Sequence, residues 1–176
     1  HTTFFGQGRL PQRPITAYLR ELTKKGIAFD YHNTMPFTID GKLRSGVFEL
    51  EGDVSSQYVT GLLFALPLLD GDSEIRMLSK LESKPYVDLT IACLRHFGIA
   101  VQETEQGYAV AGGQQYHACD LTVEGDYSQA AFFCVANALG SDITLTNLNP
   151  ESVQGDKKIV EIVREMCYNC LLYTSP

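Results

Sequence analysis

An internal repeat constrains the fold of this chain more than any other feature. Three short motifs recur 71 to 73 residues later: Arg13-Pro14 as Lys84-Pro85, Gly26-Ile27-Ala28 as Gly98-Ile99-Ala100, and Glu51-Gly52-Asp53 as Glu124-Gly125-Asp126. Asp156-Lys157 stands where a third copy would begin. The near-constant spacing indicates one structural unit that is used more than once.

Each copy of the repeat predicts the order helix, strand, strand, strand, helix, strand. For the first copy we expect a helix from Pro14, strands at 27–29, 37–39 and 46–50, a helix after Ser55, and a strand at 74–78. For the second we expect a helix from Ser83, strands at 99–101, 108–110 and 118–123, a helix to Leu139, and a strand at 143–145. A last helix is expected at 157–166. The order predicts an α/β (α+β) fold of repeated mixed units, because each unit is too long for a solenoid of short repeats.

One stretch combines a helix start with polar side chains. The apolar segment 46–50 leads into Gly52-Asp53-Val54-Ser55-Ser56-Gln57, after which an apolar helical pattern begins. Asp53 or Ser55 could cap this helix by accepting hydrogen bonds from its first N–H groups. The same N–H groups and the helix dipole also favour an anion, which two hydroxyls and a carboxamide could help to bind. The pattern alone leaves both interpretations open, a simple cap and an anion site.

Basic residues stand near three expected helix starts, at Arg13, Lys84 and Lys157. A positive charge at this end of a helix opposes the helix dipole. A local rule that is broken repeatedly suggests a functional site, here one that binds an anion. The alternative is that these side chains are solvated or pair with neighbouring carboxylates. Arg13 is the strongest candidate, since a guanidinium suits bidentate contacts with carboxylate or phosphate.

Composition excludes some classes of function. A net charge of −7 argues against a nucleic-acid partner, whose phosphates would be repelled. No apolar run approaches the ~20 residues of a membrane span. Five widely spaced cysteines predict thiols in a reducing compartment, and we interpret Cys167 and Cys170 as neither a zinc nor a redox pair. The chain begins at His1 without a signal segment, so we expect it to be a piece of a longer protein.

Four motifs together resemble a known family, the 3-phosphoshikimate 1-carboxyvinyltransferases or EPSP synthases. They are Arg13-Pro14-Ile15, Gly52-Asp53-Val54-Ser55-Ser56-Gln57, Ser83-Lys84-Pro85-Tyr86 and Glu124-Gly125-Asp126, and the resemblance covers about residues 1–166. The sister family, the UDP-N-acetylglucosamine carboxyvinyltransferases, is similar in fold but is not expected to carry the Ser-Ser-Gln and Ser-Lys-Pro-Tyr motifs together. The resemblance implies two domains of repeated βαβαββ units that close on their substrates at a hinge.

The resemblance also implies a reaction and an acceptor site. The enolpyruvyl group of phosphoenolpyruvate would pass to the 5-hydroxyl of shikimate 3-phosphate, with release of phosphate. Ser55 and Ser56 would bind shikimate 3-phosphate. Ser83 would bind its 3-phosphate group, in a pocket that Tyr86 helps to line.

The second substrate would be bound by different residues. The resemblance implies that Gln57 lies between the two substrates and touches phosphoenolpyruvate, and that Arg13 binds phosphoenolpyruvate. It implies small-molecule substrates, no cofactor, no metal, no nucleic acid and no membrane, in a monomeric cytoplasmic enzyme. The groups that transfer protons are expected outside this chain, so we expect the chain alone to be inactive.

The resemblance divides the chain into three parts. Residues 1–122 would belong to the first domain, residues 123–166 would begin the second, and residues 167–176 extend no repeat and are interpreted as non-native. Two other interpretations stay open: an enzyme of the sister family, and a noncatalytic α/β scaffold whose helix starts are only capped.

Overall fold

The computed structural model describes residues 1–166. Its contacts form two compact units, residues 1–117 and the residues from 118 onward. The division falls a few residues before the boundary expected after residue 122, and the assignment of the units to enzyme domains stays a prediction. The expected non-native tail, residues 167–176, lies outside the described residues.

The first unit combines two sheets with three helices. One sheet has the order β1-β3-β2 and is antiparallel, with β1 (Thr2–Phe4), β2 (Ile27–Asp30) and β3 (Phe37–Gly41). The other has the order β4-β5-β7-β6, with β4 (Val47–Leu50), β5 (Ser73–Met77), β6 (Gln102–Thr104) and β7 (Gly107–Val110). The helices are α1 (Thr16–Lys24), α2 (Ser56–Ala65) and α3 (Lys84–His96). The mixture of helices and sheets confirms the α/β class.

Strands β4 and β5 are the parallel pair of the second sheet, and α2 connects them. Val47 lies opposite Glu74 and Leu50 opposite Met77, while β7 pairs antiparallel with both β5 and β6. The carboxyl ends of β4 and β5 therefore meet at one edge of the sheet. The chain segments that lead into α2 and α3 both start at this edge, which is where open α/β sheets place ligands.

The core of the first unit lies between the second sheet and its helices. In β4, Phe48 and Leu50 are buried, whereas Val47 is exposed. This alternation is expected because successive residues of a strand face opposite sides of the sheet. Val59 and Leu63 of α2, one turn apart, are fully buried in the same cluster. This packing fixes where α2 begins relative to β4.

The second unit contains α4 (Tyr127–Ala138) and α5 (Lys158–Glu165). Asp126 caps α4, since its Oδ1 accepts from the backbone N of Ser128 at 2.8 Å. The strands expected at 118–123 and 143–145 are absent from this part of the described chain, so that prediction was wrong. A strand requires a hydrogen-bonded partner as well as an apolar pattern. No strand pairs with residues 118–123 here, and Val123 remains 78% exposed.

Local backbone chemistry explains two further differences. Helix α1 begins at Thr16 rather than at Pro14, because Ile15, with φ −118°, lies outside the helical region and is the N-cap, after an extended Arg13 and the short 3-10 helix Leu10–Gln12. The strand expected at 99–101 is displaced to Gln102–Thr104. The Ala100 N–H and carbonyl instead bond the side-chain amide of Gln114, at 2.7 and 3.0 Å.

Within residues 1–166, no helix combines the length and the apolar character needed to cross a membrane. The same residues contain no group of three or more His, Cys, Asp or Glu side chains that could hold a metal ion.

Candidate functional site

The start of α2 carries three of the expected site residues. Ser55 is the N-cap, and its Oγ accepts from the Gln57 backbone N at 3.2 Å, which assigns the cap to Ser55 rather than to Asp53, the other candidate. Ser55 and Ser56 are half-buried, and Gln57 is exposed. A hydroxyl can accept and donate at the same time. The Ser55 hydroxyl proton is therefore still available to a ligand oxygen, so the cap and an anion site are compatible.

The start of α3 carries the other residues that are expected to bind the acceptor, Ser83 and Tyr86. Ser83 occupies the N-cap position, but its side chain makes no capping bond, and Pro85 lies in the first turn. Its half-buried hydroxyl is thus not used by the helix. The Tyr86 N–H donates to the Ser83 carbonyl at 3.1 Å, and the Tyr86 side chain is 56% exposed. The first turn of α3 can therefore offer one hydroxyl and one aromatic ring to a ligand.

The segments before α2 and α3 are bonded directly to each other. The Gly52 N–H donates to Ser79 Oγ at 2.9 Å, and the Ser79 hydroxyl donates to Asp53 Oδ1 at 2.8 Å. The Glu82 N–H donates to the Gly52 carbonyl at 3.2 Å. A Cβ on Gly52 would lie 2.7 Å from the Lys80 carbonyl oxygen, closer than such atoms approach, so only glycine fits. The structure thereby places the Ser-Ser-Gln and Ser83 segments side by side.

Two tyrosines connect the Arg13 segment to the first turn of α2. The Tyr58 hydroxyl donates to the Pro14 carbonyl at 2.6 Å, and the Tyr18 hydroxyl donates to the Tyr58 carbonyl at 2.9 Å. Their rings meet edge to face at 4.7 Å. Burial, followed by the nearby Tyr58, raises the pKa of Tyr18 to about 12, and burial also raises the pKa of Tyr58. Both hydroxyls therefore remain protonated donors near neutral pH.

The three basic residues near helix starts have different surroundings. Lys84 Nζ lies 2.7 Å from Asp88 and 3.2 Å from Glu103, and these carboxylates raise the pKa of Lys84. Lys157 Nζ donates to the Pro150 carbonyl at 2.8 Å. The alternative interpretation, pairing with neighbouring groups, therefore holds for Lys84. Arg13 is exposed and forms no ion pair with any residue in 1–166, which leaves its guanidinium available.

An ion-pair network that the sequence analysis missed holds the end of β4. The Arg20 guanidinium contacts both Glu51 carboxylate oxygens at 2.6 and 3.1 Å and the Glu49 carbonyl at 2.6 Å. Its Nε also donates at 2.8 Å to Glu21, which is buried and accepts from Lys24 at 2.8 Å. Burial opposes ionisation of Glu21, but the hydrogen bonds from Lys24 and Arg20 prevail and lower its pKa. The network fixes Glu51, the residue before the Gly52 turn.

In the second unit, a serine again bonds the Glu-Gly-Asp segment that precedes a helix. Ser152 Oγ donates to Glu124 Oε1 at 2.6 Å, and the Gln154 side chain donates to the same oxygen at 2.9 Å. Gln154 Oε1 accepts from the Tyr127 N–H at 2.8 Å, at the start of α4. Glu124 and Asp126 therefore act in the described part of the chain as a network acceptor and a helix cap.

Sequence reasoning missed Ser79, Tyr18, Tyr58 and Arg20. Ser79 left one signal, because Ser152 stands 73 residues later at the offset of the repeated Glu-Gly-Asp motif. The other three carry no local pattern that would distinguish them from ordinary helix residues.

Comparisons with known proteins agree with the family resemblance. A family model described as EPSP synthase (3-phosphoshikimate 1-carboxyvinyltransferase) matches residues 1–171. A 3-phosphoshikimate 1-carboxyvinyltransferase of Clostridium beijerinckii is 44% identical over 165 residues, which is 93% of this chain and 38% of that protein. One of Clostridium kluyveri is 46% identical over 166 residues, covering 93% of this chain and 39% of that protein.

A solved structure shares the fold. The EPSP synthase from Acinetobacter baumannii aligns with a TM-score of 0.73 at 23% identity, over 94% of this chain and 37% of that one. The chain thus spans somewhat more than a third of the length of the relatives that it matches.

Proposed function

Because this chain belongs to the EPSP synthase family, we propose a function for the protein of which it is part. That protein transfers the enolpyruvyl group of phosphoenolpyruvate to the 5-hydroxyl of shikimate 3-phosphate and releases phosphate. One observation carries the proposal for this chain: the segments that start α2 and α3 are bonded together at the carboxyl edge of β4 and β5. Two helix N-termini and several hydroxyls there suit a phosphate monoester.

The acceptor site consists of Ser55, Ser56, Ser83 and Tyr86. Ser55 and Ser83 can each direct a hydroxyl proton to a phosphate oxygen, since neither proton is used by its helix. Hydrogen bonds to a charged acceptor are about twice as strong as neutral ones. Ser56 lies next to Ser55 in the first turn, and Tyr86 lines the side of the pocket.

Phosphoenolpyruvate binds between Gln57 and Arg13. The support is the bond from Tyr58 to the Pro14 carbonyl, which ties the residue after Arg13 to the first turn of α2. The Arg13 guanidinium has the planar fork that matches a carboxylate or phosphate. The second anion would thus lie beside the first, with the Gln57 carboxamide between them.

The reaction also requires an acid and a base. We assign neither role to Asp53 or Asp126. The Asp53 carboxylate accepts from Ser79, and the Asp126 carboxylate accepts both from the backbone N and from the hydroxyl of Ser128. These bonds explain both residues as parts of the helix starts.

Calorimetric titration of shikimate 3-phosphate into this chain tests the proposal. We expect Ser55→Ala to raise the Kd by about tenfold or more, because it removes a donor to the phosphate. Ser128→Ala is the matched control, since this serine also lies at a helix start but in the second unit. Equal affinity in all three proteins, or no binding by a natively folded wild type, would contradict the acceptor site.

We also propose that the whole enzyme is a monomer of the cytoplasm. The resemblance supports a monomer, and the odd number of cysteines in the sequence favours free thiols in a reducing compartment. Sedimentation of the full enzyme would test the monomer.

A further inference from the structure

Ser79 lies between the two segments that start α2 and α3. Its Oγ accepts from the Gly52 N–H at 2.9 Å and its hydroxyl proton is directed to Asp53 at 2.8 Å. One side chain thus satisfies a backbone donor and a carboxylate of the other segment at once. Ser79 itself is exposed, so its hydroxyl is not required to fill the core.

The bonds of Ser79 fall within a ladder that continues past the strands. The Leu78 N–H donates to the Leu50 carbonyl at 2.9 Å, and the Glu82 N–H donates to the Gly52 carbonyl at 3.2 Å. Ser79 fills the gap between these two backbone bonds. Because no Cβ fits on Gly52, the two segments are in backbone contact at this point, and a small shift of one would move the other.

The repeat supplies independent support. Ser152 stands 73 residues after Ser79 and also bonds the Glu-Gly-Asp segment of its own unit, by donating to Glu124 at 2.6 Å. Its Oγ accepts from the Gln154 N–H at 3.1 Å. A serine at this offset therefore joins the two helix-start segments in both units, although the ligand-binding motif Ser55-Ser56-Gln57 is present in the first unit alone among the described residues.

We propose that Ser79 is a positioning residue that holds the Ser55 and Ser83 segments at the spacing needed to bind one phosphate group. This inference rests on the proposed function, because it assumes that both segments bind shikimate 3-phosphate. Ser79 itself makes no contact with the ligand. It acts by fixing Gly52 and Asp53, which set the position of the Ser55 hydroxyl.

The test compares Ser79→Ala with the wild type and with two control variants. Ser79→Thr keeps the hydroxyl, and Ser152→Ala makes the equivalent change in the second unit. Amide hydrogen exchange measured by NMR without ligand is the first readout. We expect Ser79→Ala to accelerate exchange at Gly52 and Gln57 by about tenfold, since one amide loses its acceptor and the other depends on the Ser55 cap. Ser79→Thr and Ser152→Ala should leave these two amides protected.

Calorimetric binding of shikimate 3-phosphate to the same proteins is the second readout. We expect Ser79→Ala to raise the Kd by about tenfold and Ser79→Thr to restore it. Unchanged exchange at Gly52 and Gln57, equal acceleration of all amides, or unchanged affinity in Ser79→Ala would overturn the inference. If the exchange result holds but the folded wild type binds no shikimate 3-phosphate, the proposed function fails, and with it the role in phosphate binding, while Ser79 remains shown to order the segment.

Discussion

Tyr58 is the residue through which the proposed phosphoenolpyruvate site is attached to α2. We expect Tyr58→Phe to weaken phosphoenolpyruvate binding by about fivefold, because the Pro14 carbonyl loses its donor and the Arg13 segment is less restrained. Binding measured by calorimetry checks this. Tyr116→Phe is the matched control, since the Tyr116 hydroxyl also donates to a backbone carbonyl, that of Phe64 at 2.8 Å. A similar loss of affinity in both variants would count against the role of Tyr58.

At the scale of single residues, the sequence could predict what depends on near neighbours. The Ser55 cap joins residues two positions apart, and Ser55 was one of the two caps that the sequence predicted. The bond from Gly52 to Ser79 spans 27 residues, and that from Tyr58 to Pro14 spans 44. Such contacts exist only once the sheet has brought distant segments together. Neither could be predicted from residue type and local spacing.

At the scale of elements, the network around Glu21 joins α1 to β4. Glu21 Oε2 accepts from the Glu49 N–H at 3.1 Å, so a helix carboxylate satisfies a donor at the edge of the sheet. The Arg20 fork extends the same connection to Glu51. The network therefore stabilises the position of β4 from the side opposite to its parallel partner β5.

This network predicts a pH dependence of stability. Hydrogen bonds hold the pKa of Glu21 in the folded state below its unfolded value of about 4.3. The stabilisation is therefore present above that unfolded pKa and is lost as pH falls through the lower folded pKa. We expect Glu21→Gln to lower the free energy of unfolding at neutral pH by about 1–3 kcal/mol and to reduce the loss of stability on acidification.

Urea unfolding between neutral and acidic pH measures both effects. Glu105→Gln is the control, because Glu105 is exposed and forms no ion pair within the described residues. If Glu21→Gln retains the full pH slope of the wild type, another group governs the acid sensitivity.

Elements whose formation depends on their own sequence were predicted well. Helices α2, α3 and α4 begin within a few residues of the expected positions, because Ser55, Pro85 and Asp126 are local start signals. The strands expected at 118–123 and 143–145 failed, because pairing is a property of two segments and these have no partner strand in the described chain. The sheet order likewise followed from tertiary contacts that no local pattern specifies.

At the scale of the whole molecule, the repeat was visible in the sequence before any fold was known. The resemblance was expected over about residues 1–166, and the family model matches residues 1–171. Yet the two units use equivalent positions differently. Ser79 donates to the aspartate of its Glu-Gly-Asp motif, whereas Ser152 donates to the glutamate. A duplicated frame thus carries the proposed acceptor motif in one unit and a network of structural bonds in the other.

The most direct test of the account is an NMR titration of the isotope-labelled chain with shikimate 3-phosphate. We expect the largest shifts together at the amides of 52–57 and at those of Ser83, Lys84 and Tyr86, because a phosphate placed between two joined helix starts changes the field at both. Amides of the second unit should shift little. Shifts confined to one of the two segments, or centred in the second unit, would contradict the claim that the joined segments form one acceptor site.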